Sequence, residues 1–241
     1  MDTYSQALYN YHNGLKPDTF EIIRDDGYSS EVPVSIFFDN KNFSEVELLA
    51  LNNCQEKVLD IGAGVGRHSS ELQRRGLDVT AIDISEQAVS IMNQRGVHKT
   101  LHMDIIELSG EKYDTLLMLM NGIGMVENPE KIDNFLQHAY NLLHTEGVLI
   151  VDSINVLKTN DPLHVSYREK NILNSRYPGQ QILRIDYNGL HGDWFSWLHL
   201  TFEELSMHAL KNNFLCDLLT MDESGHYLAK LQVEKSYSNT E

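Results

Sequence analysis

Val58-Leu59-Asp60-Ile61-Gly62-Ala63-Gly64-Val65-Gly66-Arg67 decides the fold. An apolar run ends in a carboxylate, and three glycines at alternate positions lead into an amphipathic stretch. Glycines between a buried strand and a helix let the backbone turn sharply and approach a ligand, toward which the first N–H groups of the helix stay unpaired. A nucleotide-like ligand follows. The dinucleotide fingerprint Gly-x-Gly-x-x-Gly is not met, because its last position is Arg67 when counted from Gly62 and Ser69 when counted from Gly64. Asp60 opposes that reading as well: it would repel a pyrophosphate but can hold an ammonium, directly or through water.

Outward from this loop, short apolar runs alternate with amphipathic stretches, the pattern of βα units building a parallel sheet. Strands are expected at 57–61, 78–82, 99–102, 113–120 and 147–152, and helices at 67–75, 86–95 and 131–143. Gly76 and Gly96 stand just past two of these helices, and Ser85 can cap the start of the second. Upstream, Ser44-Glu45-Val46-Glu47 is a capping box opening a helix before the first strand. Downstream, Thr201-Phe202-Glu203-Glu204 reads as another, with a helix to about residue 212 and a closing hairpin of 214–221 and 227–233 around Asp222-Glu223-Ser224-Gly225. The expected fold is α/β and Rossmann-like: a doubly wound, mostly parallel seven-stranded sheet with helices on both faces and an antiparallel C-terminal hairpin. Residues 1–43 are expected to form an N-terminal extension or lid. Residues 44–241 form the main domain, carrying an insertion at 156–200 with a hairpin of 181–187 and 193–200 that caps the substrate.

Asp83 ends the second strand, 17 residues beyond Gly66, where a carboxylate can accept both hydroxyls of a ribose. Asp104 follows the third strand, placed to take a hydrogen bond from an adenine amine. Asp60-x-Gly62-x-Gly64-x-Gly66, Ala81-Ile82-Asp83 and Met103-Asp104 together resemble class I S-adenosylmethionine-dependent methyltransferases over about residues 45–152. The resemblance implies S-adenosyl-L-methionine as cofactor. Asp60, Gly62, Ala63, Gly64 and Gly66 would hold its amino-acid part, Asp83 the ribose and Asp104 the adenine. It further implies that Ile84 and Ile105 edge the adenine, that Asn121 lies near the methionine end, and that the N-terminal segment contributes Tyr11 and Phe38.

Composition narrows the acceptor. With 19 basic residues against 35 acidic ones the net charge is −16, and the sparse Arg67 and Arg74-Arg75 make no stripe for neutralising phosphates, so nucleic acid is not an expected partner. The fourth strand ends in Met120-Asn121-Gly122, without the Asn- or Asp-Pro-Pro-aromatic sequence of enzymes that methylate base or amide nitrogens. A small molecule remains. Displacement at a sulfonium can be accelerated by alignment and exclusion of water, and an acceptor hydroxyl or ammonium additionally needs a base. His191, Asp193 and His199 in the insertion, and Asp152 at a strand end, carry suitable side chains. Trp194, Phe195 and Trp197 supply either an aromatic wall or core packing.

Cys54 and Cys216 suggest neither a disulfide nor a metal site, no apolar stretch is long enough to span a membrane, and a cytoplasmic monomer or homodimer is expected. Two alternatives stay open at this point: an enzyme of the same fold doing non-methylating chemistry, and a non-catalytic cofactor-binding or partner protein.

Overall fold

The apolar β-branched runs around the glycine loop fold as a central sheet covered on both faces, as expected for strands that carry apolar side chains on either side. In the computed structural model, which describes residues 2–234, the first elements are α1 (Thr3–His12), β1 (Thr19–Arg24), β2 (Ser29–Pro33), α2 (Ser35–Phe38) and α3 (Glu45–Asn53). The βα units follow as β3 (Lys57–Ile61), α4 (Arg67–Arg74), β4 (Asp78–Asp83), α5 (Glu86–Gln94), β5 (Lys99–His102), β6 (Tyr113–Met118), α6 (Ile132–Leu142) and β7 (Leu143–Ile154). Then come α7 (Pro162–Leu173), β8 (Gln180–Tyr187), β9 (Leu190–His191), β10 (Phe195–Leu198), α8 (Phe202–Lys211), β11 (Phe214–Met221) and β12 (His226–Val233).

Seven strands lie in the order β11-β12-β7-β6-β3-β4-β5. β3 pairs in parallel with β4 and with β6, and β12 closes the sheet antiparallel to β7. The chain therefore leaves β3 in one direction for β4 and β5 and returns on its other side as β6, which puts the switch point of the sheet beside the end of β3. The seven-stranded core thus agrees with its sequence-based expectation. β6 ends two residues early because Met120 and Asn121 turn into positive φ, at 63° and 61°.

A second sheet, β10-β8-β1-β2 with β9 on β8, is entirely antiparallel. It joins the N-terminal extension to the insertion, with Glu21 opposite Asp186 and Ile23 opposite Arg184. α1 packs beneath it, burying Ala7 and Leu8 in a cluster with Phe20, Tyr187, Val65, Ala88 and Ile91. This second layer thus rests on the glycine loop and on α5. The buried guanidinium of Arg24 ties it together: it pairs in bidentate fashion with Asp26 at 2.9 and 2.8 Å, contacts His164 Nδ1 at 3.0 Å, and lies between the rings of Tyr28 and Tyr167.

The two capping boxes differ. At α3, Ser44 and Glu47 bond each other's backbone N–H reciprocally. At α8, Thr201 accepts the N–H of Glu204, but the Glu204 carboxylate takes the hydroxyls of Thr201 and Tyr177 instead of the backbone of Thr201, so that box is half formed.

Candidate functional site

Gly62, Gly64 and Gly66 all have positive φ, at 68°, 55° and 79°. A Cβ on Gly62 would lie 2.6 Å from the sulfur of Met125, and one on Gly66 would lie 2.8 Å from Val97 Cγ2. Conformation and space both require glycine there. The N–H of Gly64 donates to Asp83 Oδ2 at 2.8 Å and that of Ser85 to Asp83 Oδ1 at 2.8 Å, so the carboxylate at the end of β4 locks the loop to the start of α5. Burial raises the Asp83 carboxyl above the usual range, and these two backbone donors work against that rise. Each oxygen keeps a lone pair for a further donor. Asp60 is buried and accepts the Ser69 hydroxyl at 2.5 Å; burial raises its carboxyl too, against the pull of His68.

Above the loop lies a cavity of about 120 Å³. Its floor is Asp60 to Val65, one wall is Leu119, Met120, Gly122 and Met125 after β6, and another is Arg67 and His68 at the start of α4. Tyr4, Phe37 and Trp197 from the second layer roof it. Trp197 rests directly on the backbone after β6: a Cβ on Gly124 would fall 2.1 Å from the indole. The Tyr4 phenol is buried, and desolvation together with the Asp83 charge keeps it protonated.

The Arg67–His68 wall is held from α3. Glu47 Oε1 takes Arg67 Nε at 2.9 Å and His68 Nε2 at 2.8 Å, while its Oε2 takes Arg67 Nη2 at 3.1 Å. Burial alone would raise the Glu47 carboxyl; the bonds from His68, Arg67 and Ser44 hold it far below the usual range. Two buried polar atoms beside this cavity lack a protein partner, Arg67 Nη1 and Asn121 Oδ1. One is a cationic donor and the other an amide acceptor. They match the carboxylate and ammonium of an amino-acid group, so the residues present fit the methionine end of S-adenosylmethionine.

The remaining sequence-derived candidates fall into three sets. Ile84, 74 % exposed, Asp104 and Ile105 form an open shelf beside Asp83: Met103 N–H donates to the Asp83 carbonyl, and Asp104 caps the short turn after β5 through the N–H of Ile106. Asn121 has a left-handed backbone and gives its N–H to Asp152 Oδ1 at 2.8 Å. Tyr11 and Phe38 pack against each other with their rings tilted by 43° and 4.8 Å between centroids, at the far end of α1 near Gln94 and Arg95, and neither lines the cavity. From α1, Tyr4 is the residue that lines the cavity. The aromatic contribution of the extension therefore comes from Tyr4 and Phe37.

His191 is exposed and pairs with Asp186 at 2.6 Å on the outer rim of the second sheet, and Asp193 is exposed beside it; neither lines the cavity. His199 is buried at the seam between the layers with Nδ1 unpaired, and desolvation pushes its pKa down to about 4. Sequence reasoning did not assign Arg67, His68, Phe37 or Met125 to the site. Arg67 and His68 directly follow the last glycine, and that adjacency was the available signal; Phe37 and Met125 arrive only through tertiary packing.

A profile described as a methyltransferase domain matches residues 58–147. A solved S-adenosylmethionine-dependent methyltransferase from Bacteroides fragilis, in complex with S-adenosyl-L-homocysteine, is 28% identical, superposes with a TM-score of 0.84, and is covered over 95% of its chain by 97% of this one. The ubiquinone biosynthesis O-methyltransferase of Rickettsia canadensis is 30% identical over 108 residues, 42% of this chain and 44% of that protein. The glycine/sarcosine N-methyltransferase of Halorhodospira halochloris is 29% identical over 107 residues, 41% of this chain and 40% of that protein. The matched region thus spans less than half the length of these curated relatives. A glycine loop on the β3 switch point and an acid at the end of β4 agree with these matches: the chain carries a methyltransferase domain over residues 58–147 and has the fold of a solved S-adenosylmethionine-dependent methyltransferase.

Proposed function

We propose that this protein transfers a methyl group from S-adenosylmethionine to an oxygen or nitrogen of a small molecule. The observation that carries the reading is the locked loop: three glycines of positive φ whose middle N–H is bonded to Asp83, with the buried Asp60 beneath and the unpaired Arg67 Nη1 and Asn121 Oδ1 beside it. In this reading Asp60, Gly62, Ala63, Gly64, Gly66, Arg67 and Asn121 hold the amino-acid end of the cofactor. Asp83 holds the ribose, and Ile84, Asp104 and Ile105 the adenine. The cofactor supplies a methyl carbon on a positively charged sulfur. Tyr4, Phe37, Met125 and Trp197 exclude water from that point and align the acceptor, which suits a displacement whose charge is dispersed in the transition state.

The excess of acidic residues and the names of the two curated relatives, one O- and one N-methylating, support a small acceptor. Calorimetric titration with S-adenosylmethionine, S-adenosylhomocysteine and reduced NAD tests the reading. Micromolar binding of the two sulfur nucleosides, without binding of NADH, is expected, and no binding of either would defeat it.

A further inference from the structure

β6 runs beside β7 in parallel as far as the pair Met118 and Val151, and the next residue of β7 is Asp152. There β6 leaves the ladder. Met120 and Asn121 both turn into positive φ, a conformation that residues with a side chain keep only where their surroundings hold them. The N–H groups of this turn are taken by a side chain instead of by a strand. Asp152, itself buried, accepts from Asn121 at 2.8 Å and from Gly122 at 3.3 Å, both on Oδ1. Further along, the Trp197 indole rests on Gly124. The segment that walls the cavity above the glycine loop is thus gripped by a carboxylate at one end and by an indole at the other.

The second oxygen of Asp152 is engaged too. His226 Nε2–H donates to Oδ2 at 2.8 Å; His226 stands opposite Ile154 in the antiparallel pairing of β12 with β7, so its ring reaches diagonally to a residue two places back. This bond foremost holds the imidazole above its ordinary pKa. With three donors on its two oxygens, the carboxylate is occupied as a clamp instead of being free as a base. Neither Asp152 nor His226 lines the cavity above the glycine loop, and His226 lines a separate one between the start of α3 and the turn joining β11 to β12. Whatever the pair does for the cofactor therefore passes through the Asn121–Gly122 turn.

We propose that Asp152 is a positioning residue for the cofactor: it fixes the Met120–Gly122 turn so that Asn121 Oδ1 is presented to the ammonium of the cofactor's amino-acid group, and His226 in turn fixes Asp152. This inference rests on the methyl-transfer reading above and adds to it the device that sets where the amino-acid end sits. Asn121 Oδ1 is the buried amide acceptor without a protein partner, and Met120 and Gly122 on either side of it line the cavity. The backbone that aims this side chain is the backbone that Asp152 holds. Released from the carboxylate, the turn is free to relax toward negative φ, and the amide oxygen moves with it. The proposed ribose and adenine contacts belong to other elements, Asp83 and Ile84 at the end of β4 and Asp104 and Ile105 after β5, and stay in place. The loss is therefore confined to one end of the ligand.

The test uses the full chain and two nucleosides that differ at that end: S-adenosylhomocysteine, which carries the amino-acid group, and 5′-methylthioadenosine, which lacks it. The first is followed by calorimetry and the second by ligand-detected NMR at millimolar concentration. A wild type that binds neither defeats the methyl-transfer reading, and this inference with it. In Asp152→Ala, S-adenosylhomocysteine should weaken roughly 10- to 100-fold while 5′-methylthioadenosine binds as to wild type. His226→Ala should show the same selective loss at about 3- to 10-fold, and His226→Gln, whose amide N–H can still donate to Oδ2, should recover most of it. Should Asp152→Ala fail to fold, the two His226 variants carry the test alone, since that side chain is 28% exposed. With wild type binding S-adenosylhomocysteine, three results overturn the assignment and leave the methyl-transfer reading standing: an unchanged affinity for it in Asp152→Ala or His226→Ala, an equal weakening of both nucleosides, or a His226→Gln as impaired as His226→Ala.

Discussion

The two sheets record two ways of encoding a β structure. The seven-stranded sheet is written almost continuously, from Lys57 to Ile154 and again from Phe214 to Val233, with a crossover helix between β3 and β4, β4 and β5, and β6 and β7. The five-stranded sheet is written in two pieces, residues 19–33 and 180–198, that meet only in space. The first is built mostly from local units and carries the glycine loop; the second is two local hairpins joined by the single long-range pair β1–β8, and it supplies Trp197 to the roof of the cavity, with α1 and α2 adding Tyr4 and Phe37. The glycine loop that floors the cavity sits on the local part, and the aromatic side chain that closes it from the second sheet sits on the part whose assembly needs the β1–β8 pair.

Removing Arg24 should separate the two most sharply. Arg24→Ala breaks the buried pair with Asp26 and the stacking between Tyr28 and Tyr167, at a cost of roughly 3–5 kcal/mol. Urea unfolding followed by Trp fluorescence and by far-ultraviolet circular dichroism should then give two midpoints, the second sheet melting before the first. Coincident midpoints would show that the sheets fold as one unit.

Acid should act next, at the seam. His199 has a folded pKa of about 4 because burial disfavours its charge, against 6.5 unfolded. The unfolded chain therefore binds the extra proton, and stability from this residue is complete above about pH 6.5 and lost as pH falls toward 4, by about 3 kcal/mol. His226 works in the opposite sense: its folded pKa is raised, so its contribution is present at low pH and lost as pH rises through that value. Unfolding free energies at pH 7 and 4.5 should show the His199→Asn variant losing less on acidification than wild type; equal losses would remove His199 as the cause.

A smaller effect is expected from the loop lock. Asp83→Ala removes the acceptor of the Gly64 and Ser85 N–H groups and the proposed ribose contacts, and should weaken S-adenosylhomocysteine about 10- to 100-fold by calorimetry. An unchanged affinity would displace Asp83 from the site. The smallest effect is at α3: Ser44→Ala loses half of the capping box and should cost about 1 kcal/mol by urea denaturation, with the second sheet undisturbed.

What could be read in the sequence follows the same division. Three alternate glycines, the acids Asp60 and Asp83, and helix stops at Gly76 and Gly96 are local signals, and the strands they bracket lie where expected within a residue or two. α7 was not anticipated although Asp161 caps it with Pro162 at its start, because its apolar side chains point largely to solvent and give no periodic stripe. β1 and β2 were invisible for a related reason: Thr19–Arg24 has a half-buried pattern whose partner, β8, lies far along the chain. Tyr11 and Phe38 were reasonable aromatic candidates, but from α1 it is Tyr4 that lines the cavity. His226 carried no motif at all; its interest arises from Asp152, brought within 2.8 Å by an antiparallel pairing.

The split second sheet also sets a timetable. On a ribosome adding about 5–20 residues per second, Glu21 emerges roughly 10–30 s before Asp186, its partner across β1 and β8. Through that interval the free edge of the β1–β2 hairpin has no native neighbour, and the aromatic face that later roofs the cavity is open to chance contacts. Chaperone dependence during synthesis should therefore concentrate in the first 40 residues or so, although the finished molecule packs Ala7, Leu8, Phe20 and Val34 of that segment in one cluster with Val65 of the glycine loop.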